Sequence, residues 1–338
     1  MTSLTSIVMG ALVATIIVAR AATAQEFPLT DPNGLVARDV KAEAVDVLGK
    51  KAVRLLTLPD KEEGFAFLPG VDFQDGTIDA DISLKTLTPP GVRMPGFIGI
   101  AFRARPDASS YELFYVRPNN SLEQDQARRN HSVQYTSAPG FGWSYLRRAW
   151  PWLYETYAPI ESGAWTHLTI EVAGRVAKLY LNRSPQPTLI VNGLKGQDLH
   201  GGVALWGYAS EESYFSNVRV KSATPQSIAN GSDAAGTWQV KLATDNGPFQ
   251  GTLQLRRDGK SLTGTWSGDL GKDLPVSGTW RDGYIELTFT GQWLDQQTKT
   301  VEGPAPTTLA GWIDGASGTG RTRIDGHAEG QWMATRTP

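Results

Sequence analysis

The chain reads as all-β: a β-sandwich followed by a small antiparallel β-barrel. Three observations carry this. Apolar and polar residues alternate with a period of two through most of the chain, as in Thr77-Ile78-Asp79-Ala80-Asp81-Ile82-Ser83-Leu84, which puts one set on a buried face and the other in solvent. No long capped segment of 3.6-residue period interrupts this pattern, and Gly, Pro and Asn punctuate the short runs as turns require. A Gly-x-Trp or Gly-Trp unit recurs in the last third: GTW at 236–238, 264–266 and 278–280, GQW at 291–293 and 330–332, and GW at 311–312.

Taken in order, residues 1–24 read as a signal peptide. The apolar run Ile7 to Val18 is followed by Ala22-Thr23-Ala24, an A-x-A signature that places cleavage before Gln25. The run is shorter than the ~20 apolar residues a bilayer span needs. It predicts export, to the periplasm or beyond, with no membrane span. Residues 25–221 carry the sandwich, with period-two runs at 77–84, 96–105, 111–118, 165–174, 175–182, 201–208 and 213–220. Ala173-Gly174 closes a tight hairpin between two of them. Residues 222–235 are small, polar and unpatterned, as a flexible linker is. Residues 236–338 then read as a meander of about eight strands, with turns at Arg257-Asp258-Gly259 and Arg281-Asp282-Gly283. Its tryptophans fill the barrel or line a ligand pocket, and the packed interior of small barrels favours filling. Glycine beside tryptophan leaves room for an indole to cross a neighbouring strand.

Composition narrows the function. The chain has no cysteine, which removes disulfides, thiolate metal sites and a cysteine nucleophile. Its 338 residues exceed the size at which one core stops growing, in keeping with two domains. With 32 Lys and Arg against 34 Asp and Glu, charge gives no pull toward nucleic acid or anionic membrane.

Chemistry concentrates in RPNNSLEQDQARRNHSVQY, residues 117–135, and in the aromatic stretch FGWSYLRRAWPWLYETY, residues 141–157. Arg and Asn offer multidentate hydrogen bonds to vicinal hydroxyls, and aromatic rings cover the C–H faces of a pyranose. The ligand-binding set read from these stretches and the strands beside them is Arg103, Tyr115, Arg117, Asn119, Arg129, Asn130, His131, Tyr135 and Trp143. The competing reading is a loop tied down by its own Arg and Asn side chains. His131 is the histidine embedded in this cluster, and as an acid or base its candidate partners are Glu112 and Glu155. No carboxylate or second histidine follows at ligand spacing, so neither a metal nor another cofactor is expected. His167, His200 and His327 stand isolated. There is no G-x-S-x-G elbow and no Gly-rich phosphate loop.

Residues 65–220 resemble the concanavalin A-like lectin/glucanase sandwiches, and more narrowly their 3-keto-disaccharide hydrolase and laminin G-like branches. PGFIGIAFRA (95–104) with YELFYVRP, then RRNHSVQY, WTHLTIEVAGRVAKLYLN and GGVALWGYASEESYFSNVRV carry the likeness. The resemblance implies two curved antiparallel sheets whose concave face and rim loops serve sugars. The glucanase branch carries E-x-D-x-x-E; here Glu123-Gln124-Asp125 begins it, but Arg128 stands in the third carboxylate's place. That departure counts against ordinary glucanase chemistry. The final third is superficially similar to avidin-type and lipocalin-like barrels, with no ligand implied. The sequence therefore predicts an exported protein that binds a carbohydrate or related polyhydroxylated ligand. Glycoside cleavage and a structural or adhesive role stand as alternatives.

Overall fold

A computed structural model describes residues 24–87, 92–209, 211–229, 231–294 and 300–338. The expected signal peptide, Ala24 apart, lies outside the described residues. In chain order the strands are β1 (Ala24–Phe27), β2 (Val36–Arg38), β3 (Val40–Val47), β4 (Lys50–Thr57), β5 (Glu63–Phe67), β6 (Gly76–Thr86), β7 (Ile98–Ala104) and β8 (Tyr111–Val116). Two single-turn helices, α1 (Pro118–Ser121) and α2 (Gln126–Arg129), lead into β9 (Val133–Ala138), and α3 (Trp143–Ala149) leads toward β10 (Glu155–Thr156). Then come β11 (Thr166–Ala173), β12 (Val176–Leu181), β13 (Leu189–Asn192), β14 (Gly202–Tyr208) and β15 (Glu211–Ser222).

These strands build two antiparallel sheets. The first has the order β13-β12-β11-β6-β15-β4-β3, with β1 added along β15, and the second the order β10-β9-β8-β7-β14-β5-β2. The all-β class read from the sequence, sandwich then barrel, is the class found. Ile78, Ala80, Ile82 and Leu84 of β6 face the core, where they join Ile98, Ile100, Phe102, Phe114 and Tyr135 of the second sheet. β11 shows the half-buried alternation directly, with Leu168, Ile170 and Val172 buried between more exposed neighbours.

β7 and β8 are buried on both faces, which alternation alone does not predict. The reason lies on the second sheet's outer face. One register row there runs Glu155, Gln134, Tyr115, Gly99, Trp206, Phe65, Arg38 across all seven strands. Gly99 stands between Tyr115 and Trp206, and with no side chain between them their rings close to 5.2 Å. Phe65, Phe67 and Tyr111 continue this layer, over Ala101 and Ala204. The sheet's aromatics thus cover the sheet themselves.

Beyond residue 235, β16 (Gly236–Thr244), β17 (Gly247–Asp258), β18 (Ser261–Gly268), β19 (Gly271–Arg281), β20 (Tyr284–Leu294), β21 (Val301–Asp314), β22 (Ser317–Ile324) and β23 (Ala328–Arg336) close a barrel in sequence order. Trp238, Trp266, Trp293 and Trp332 are buried in its core, so the indoles fill it. The glycine that makes room is often on a neighbouring strand rather than in the same unit. A Cβ on Gly251 would come within 2.5 Å of the Trp266 ring, and one on Gly318 within 2.9 Å of Trp332.

The segment after β15 is strapped down rather than free. Ala223 donates its N–H to Asp75 O, Gln226 to Asp75 Oδ2, and Ala229 to Asp314 Oδ1. Its small residues let the backbone lie close, and close backbone amides must find acceptors. Barrel and sandwich also share side chains: Tyr284, Ala310 and Trp312 belong to the sandwich core, and Trp312 Nε1 donates to Leu194 O at 2.9 Å.

Candidate functional site

Much of the polar stretch 117–135 is structural. Arg117 is 4% exposed; its Nη1 donates to His131 O at 2.7 Å and its Nη2 to Tyr115 Oη at 2.6 Å. Its guanidinium also lies over the Tyr115 and Phe97 rings, at 4.8 and 5.6 Å. Asn119 donates to Thr86 Oγ1 and Met94 O. Asp125 caps α2 by accepting from Ala127 N. Glu123 is buried between Arg93 and Arg128. Arg117 spends its donors on the His131 carbonyl and the Tyr115 hydroxyl, and Asn119 on Thr86 and Met94, so both are corrected to clamps. Tyr115 is buried in the aromatic layer described above.

Three more expected site residues point into the core. Arg103, 1% exposed, adopts φ +48° beside a register shift at Gly202/Ala204. That bulge turns its side chain inward, where Nη2 reaches Asp75 Oδ1 at 2.9 Å and Gly174 O at 2.7 Å. Glu112 and Tyr135 lie on the inner face of β8 and β9. The Tyr135 hydroxyl donates to Glu112 Oε2 at 2.5 Å, and the other carboxylate oxygen accepts from Gly196 N. Burial raises the Glu112 carboxyl above its usual range. Buried and turned inward, Arg103, Glu112 and Tyr135 are corrected to core residues.

What remains at the surface is a rim built by the start of β9, by α3 and by β10. Trp150 and Tyr154 are buried anchors, and the residue between them, Trp152, is thrown outward, 61% exposed. Its backbone sits at φ +66°, a left-handed conformation costly for a tryptophan and found where surrounding structure enforces it. The Trp152 ring stacks nearly parallel to His131, 8° between planes and 6.1 Å between centroids. Trp143, 49% exposed, begins α3, with the Arg147 guanidinium 4.9 Å from its ring. Arg129 lies over Tyr157 at 4.8 Å and donates to its hydroxyl. Asn130 Oδ1 accepts from Gln126 Nε2.

Glu155 joins these groups. Arg147 grips it with Nε on Oε1 at 2.9 Å and Nη2 on Oε2 at 2.6 Å, the planar fork that guanidinium and carboxylate share. His131 Nδ1 lies 2.9 Å from Glu155 Oε2 without a hydrogen bond of good geometry. The contact is one of proximity. Burial holds the His131 imidazole below its ordinary value; Arg147 and Arg117 push the same way and Glu155 opposes them. A neutral imidazole, a carboxylate already neutralised by arginine and exposed indoles offer hydrogen bonds and stacking, not a poised acid–base pair. The nearest carboxylate in the aromatic layer, Glu63, is held by Tyr111 Oη and Trp206 Nε1. It stands five strands from Glu155, on the order of 20 Å away at ~4.8 Å per strand, where two-carboxylate glycoside cleavage needs about 5–9.5 Å. Among the described residues no three His, Cys, Asp or Glu side chains group to hold a metal ion.

From the expected set the rim thus gathers His131, Arg129, Asn130, Trp143 and Glu155. It adds Trp152, Arg147 and Tyr157. The signal for Trp152 was present, since an aromatic standing between two others in a stretch without alternation has to face away from one of the packed sides.

No family model and no curated protein sequence matches the chain. Among solved structures it is similar to the carbohydrate-binding module CBM66 from Bacillus subtilis, at 18% identity over 56% of this chain and 98% of that one, TM-score 0.38. It is also similar to a Bacillus subtilis protein of unknown function with a galectin-like fold, at 12% identity over 61% and 98%, TM-score 0.41. The third is the basic winged bean lectin with Tn-antigen, at 10% identity over 61% and 100%, TM-score 0.38. Identities of this size concern fold alone.

Proposed function

We propose that the chain is an exported carbohydrate-binding protein whose sandwich recognises a glycan, or a related polyhydroxylated ligand, at the Trp143–Trp152 rim. The observation that carries this is the pair of exposed indoles flanking His131, Arg147 and Glu155. Large aromatics held open to solvent beside fixed planar donors suit a ligand with alternating C–H faces and hydroxyl edges. Export rests on the apolar run and Ala22-Thr23-Ala24 of the leader. Glycoside cleavage would draw on the proximity of His131 and Glu155, but Arg147 already neutralises that carboxylate, and Glu63 of the aromatic layer stands five strands away.

A glycan array probed with the full chain tests this reading. A retained glycan should bind about 10- to 30-fold more weakly to Trp152→Ala, the loss of ~1.5–2 kcal/mol expected when a stacking anchor is truncated. Melting should change little, because the ring is mostly in solvent and such substitutions stay within about 0.5 kcal/mol. An array with no retained glycan, or binding indifferent to both Trp143→Ala and Trp152→Ala, would remove the rim as the site.

A further inference from the structure

Lys195, in the loop after β13, is buried in the seam between sandwich and barrel, 4% exposed. Its Nζ donates to Tyr284 Oη at 2.8 Å. The Tyr284, Tyr154 and Phe141 rings stand 4.5, 5.4 and 5.8 Å from it. All of these partners are neutral. The carboxylates nearby reach it only at a distance: Glu286 accepts from the Tyr284 hydroxyl that Lys195 itself donates to, and Glu112 is held by Tyr135 and Gly196. Arg281, over the Phe141 ring at 4.3 Å, and Arg321, whose Nε is buried without a hydrogen bond, add charge of the same sign. Among the described residues none forms an ion pair with Lys195, Arg281 or Arg321.

A buried ammonium with no carboxylate in direct contact is costly, and native structures pair such groups. The seam has room for the missing partner. Lys195 lines two clefts, one of ≈ 190 Å³ shared with Arg175, Trp312 and Arg321, the other of ≈ 320 Å³ shared with Arg105, Ser137 and Arg281. In the first, Arg175 lies flat on the Trp312 indole, 3.2 Å from its centroid, so that its planar face is fixed before any ligand arrives.

We propose that this seam is a second binding site, taking a small ligand that carries an oxyanion, with Lys195 and Arg321 receiving the negative charge and Trp312 with Arg175 forming one wall. Supporting this, burial pushes the Lys195 ammonium down to about 7, the behaviour of a charge short of a partner. The oxyanion is carried by an acidic sugar or is a free inorganic ion, and the two sources separate by experiment.

Titration calorimetry of the full chain at constant ionic strength with sodium sulfate, sodium glucuronate and neutral glucose reads this directly. The expected result is saturable binding of sulfate, glucuronate or both, at least tenfold tighter than any glucose signal and at least tenfold weaker in Lys195→Met and in Arg321→Gln. Glucuronate without sulfate identifies an acidic sugar; sulfate without glucuronate identifies a free oxyanion. Absence of binding by either anion, or binding unchanged in Arg321→Gln, overturns the proposal. The Arg321 variant changes a partly exposed side chain, so the test holds even if Lys195→Met fails to fold.

Discussion

Arg103→Ala is expected to cost about 3–5 kcal/mol, the range for removing one partner of a buried ion pair. The guanidinium ties three parts of the sandwich together: Nε donates to Gln74 O, and Nη2 to Asp75 Oδ1 and to Gly174 O in the β11–β12 turn. Asp75 in turn accepts from Gly174 N and Gln226 N, so the same carboxylate anchors the strap leading to the barrel. Truncation leaves that carboxylate buried beside two backbone amides with no positive charge against it. In a domain of this size the melting temperature should fall by roughly 6–20 °C. Asp75→Asn should cost less, because the amide keeps an acceptor for the backbone donors. The combination of Arg103→Met and Asp75→Leu should recover part of the loss, since an apolar pair needs no compensation. Chemical denaturation of the three variants checks the order; a loss below about 1 kcal/mol for Arg103→Ala would mean that water reaches the site and screens it.

The same residue shows where sequence reading stops. Alternation in Phe102-Arg103 places the phenylalanine in the core and the arginine outside, which is how the period-two rule assigns a ligand contact. One extra residue on β7 opposite β14 breaks the count, and Arg103 turns inward beside it. Nothing in GIAFRAR marks that bulge. Strands such as β6 and β11 were legible because each had a polar side to declare. β7 and β8 hid their second buried face because the aromatics that cover it come from β5, β8 and β14, brought together only by register. The rim was half legible: His131 and Trp143 stood out by composition, whereas Arg147 matters only because α3 returns it to Glu155, eight residues on. Lys195 carried no signal, for its hydrogen-bond partner Tyr284 lies 89 residues downstream.

Arg117→Ala is the second variant with a large expected effect, and it separates a clamp from a ligand contact. The side chain satisfies the His131 carbonyl and the Tyr115 hydroxyl at once, from a position almost closed to solvent. Burial lowers its pKa, with Arg147 pushing the same way and Glu155 opposing. Removing it strands two acceptors and opens the layer between Phe97 and Tyr115. A hydrogen bond to a charged group contributes about 1.5–3 kcal/mol, so a loss of roughly 3 kcal/mol and a melting temperature lower by about 6–12 °C are expected. Arg117→Lys should rescue little of it, because an ammonium is a point donor that cannot fork to both oxygens or stack as a plane. Because the loop it holds carries His131, residues 126–132 should exchange their amide hydrogens faster in the variant than the core of β8 does. Glycan affinity should fall only as far as this loosening disorders the rim. The opposite pattern, unchanged melting with binding abolished, would make Arg117 a direct ligand contact despite its burial and would return the whole segment 117–135 to the binding site.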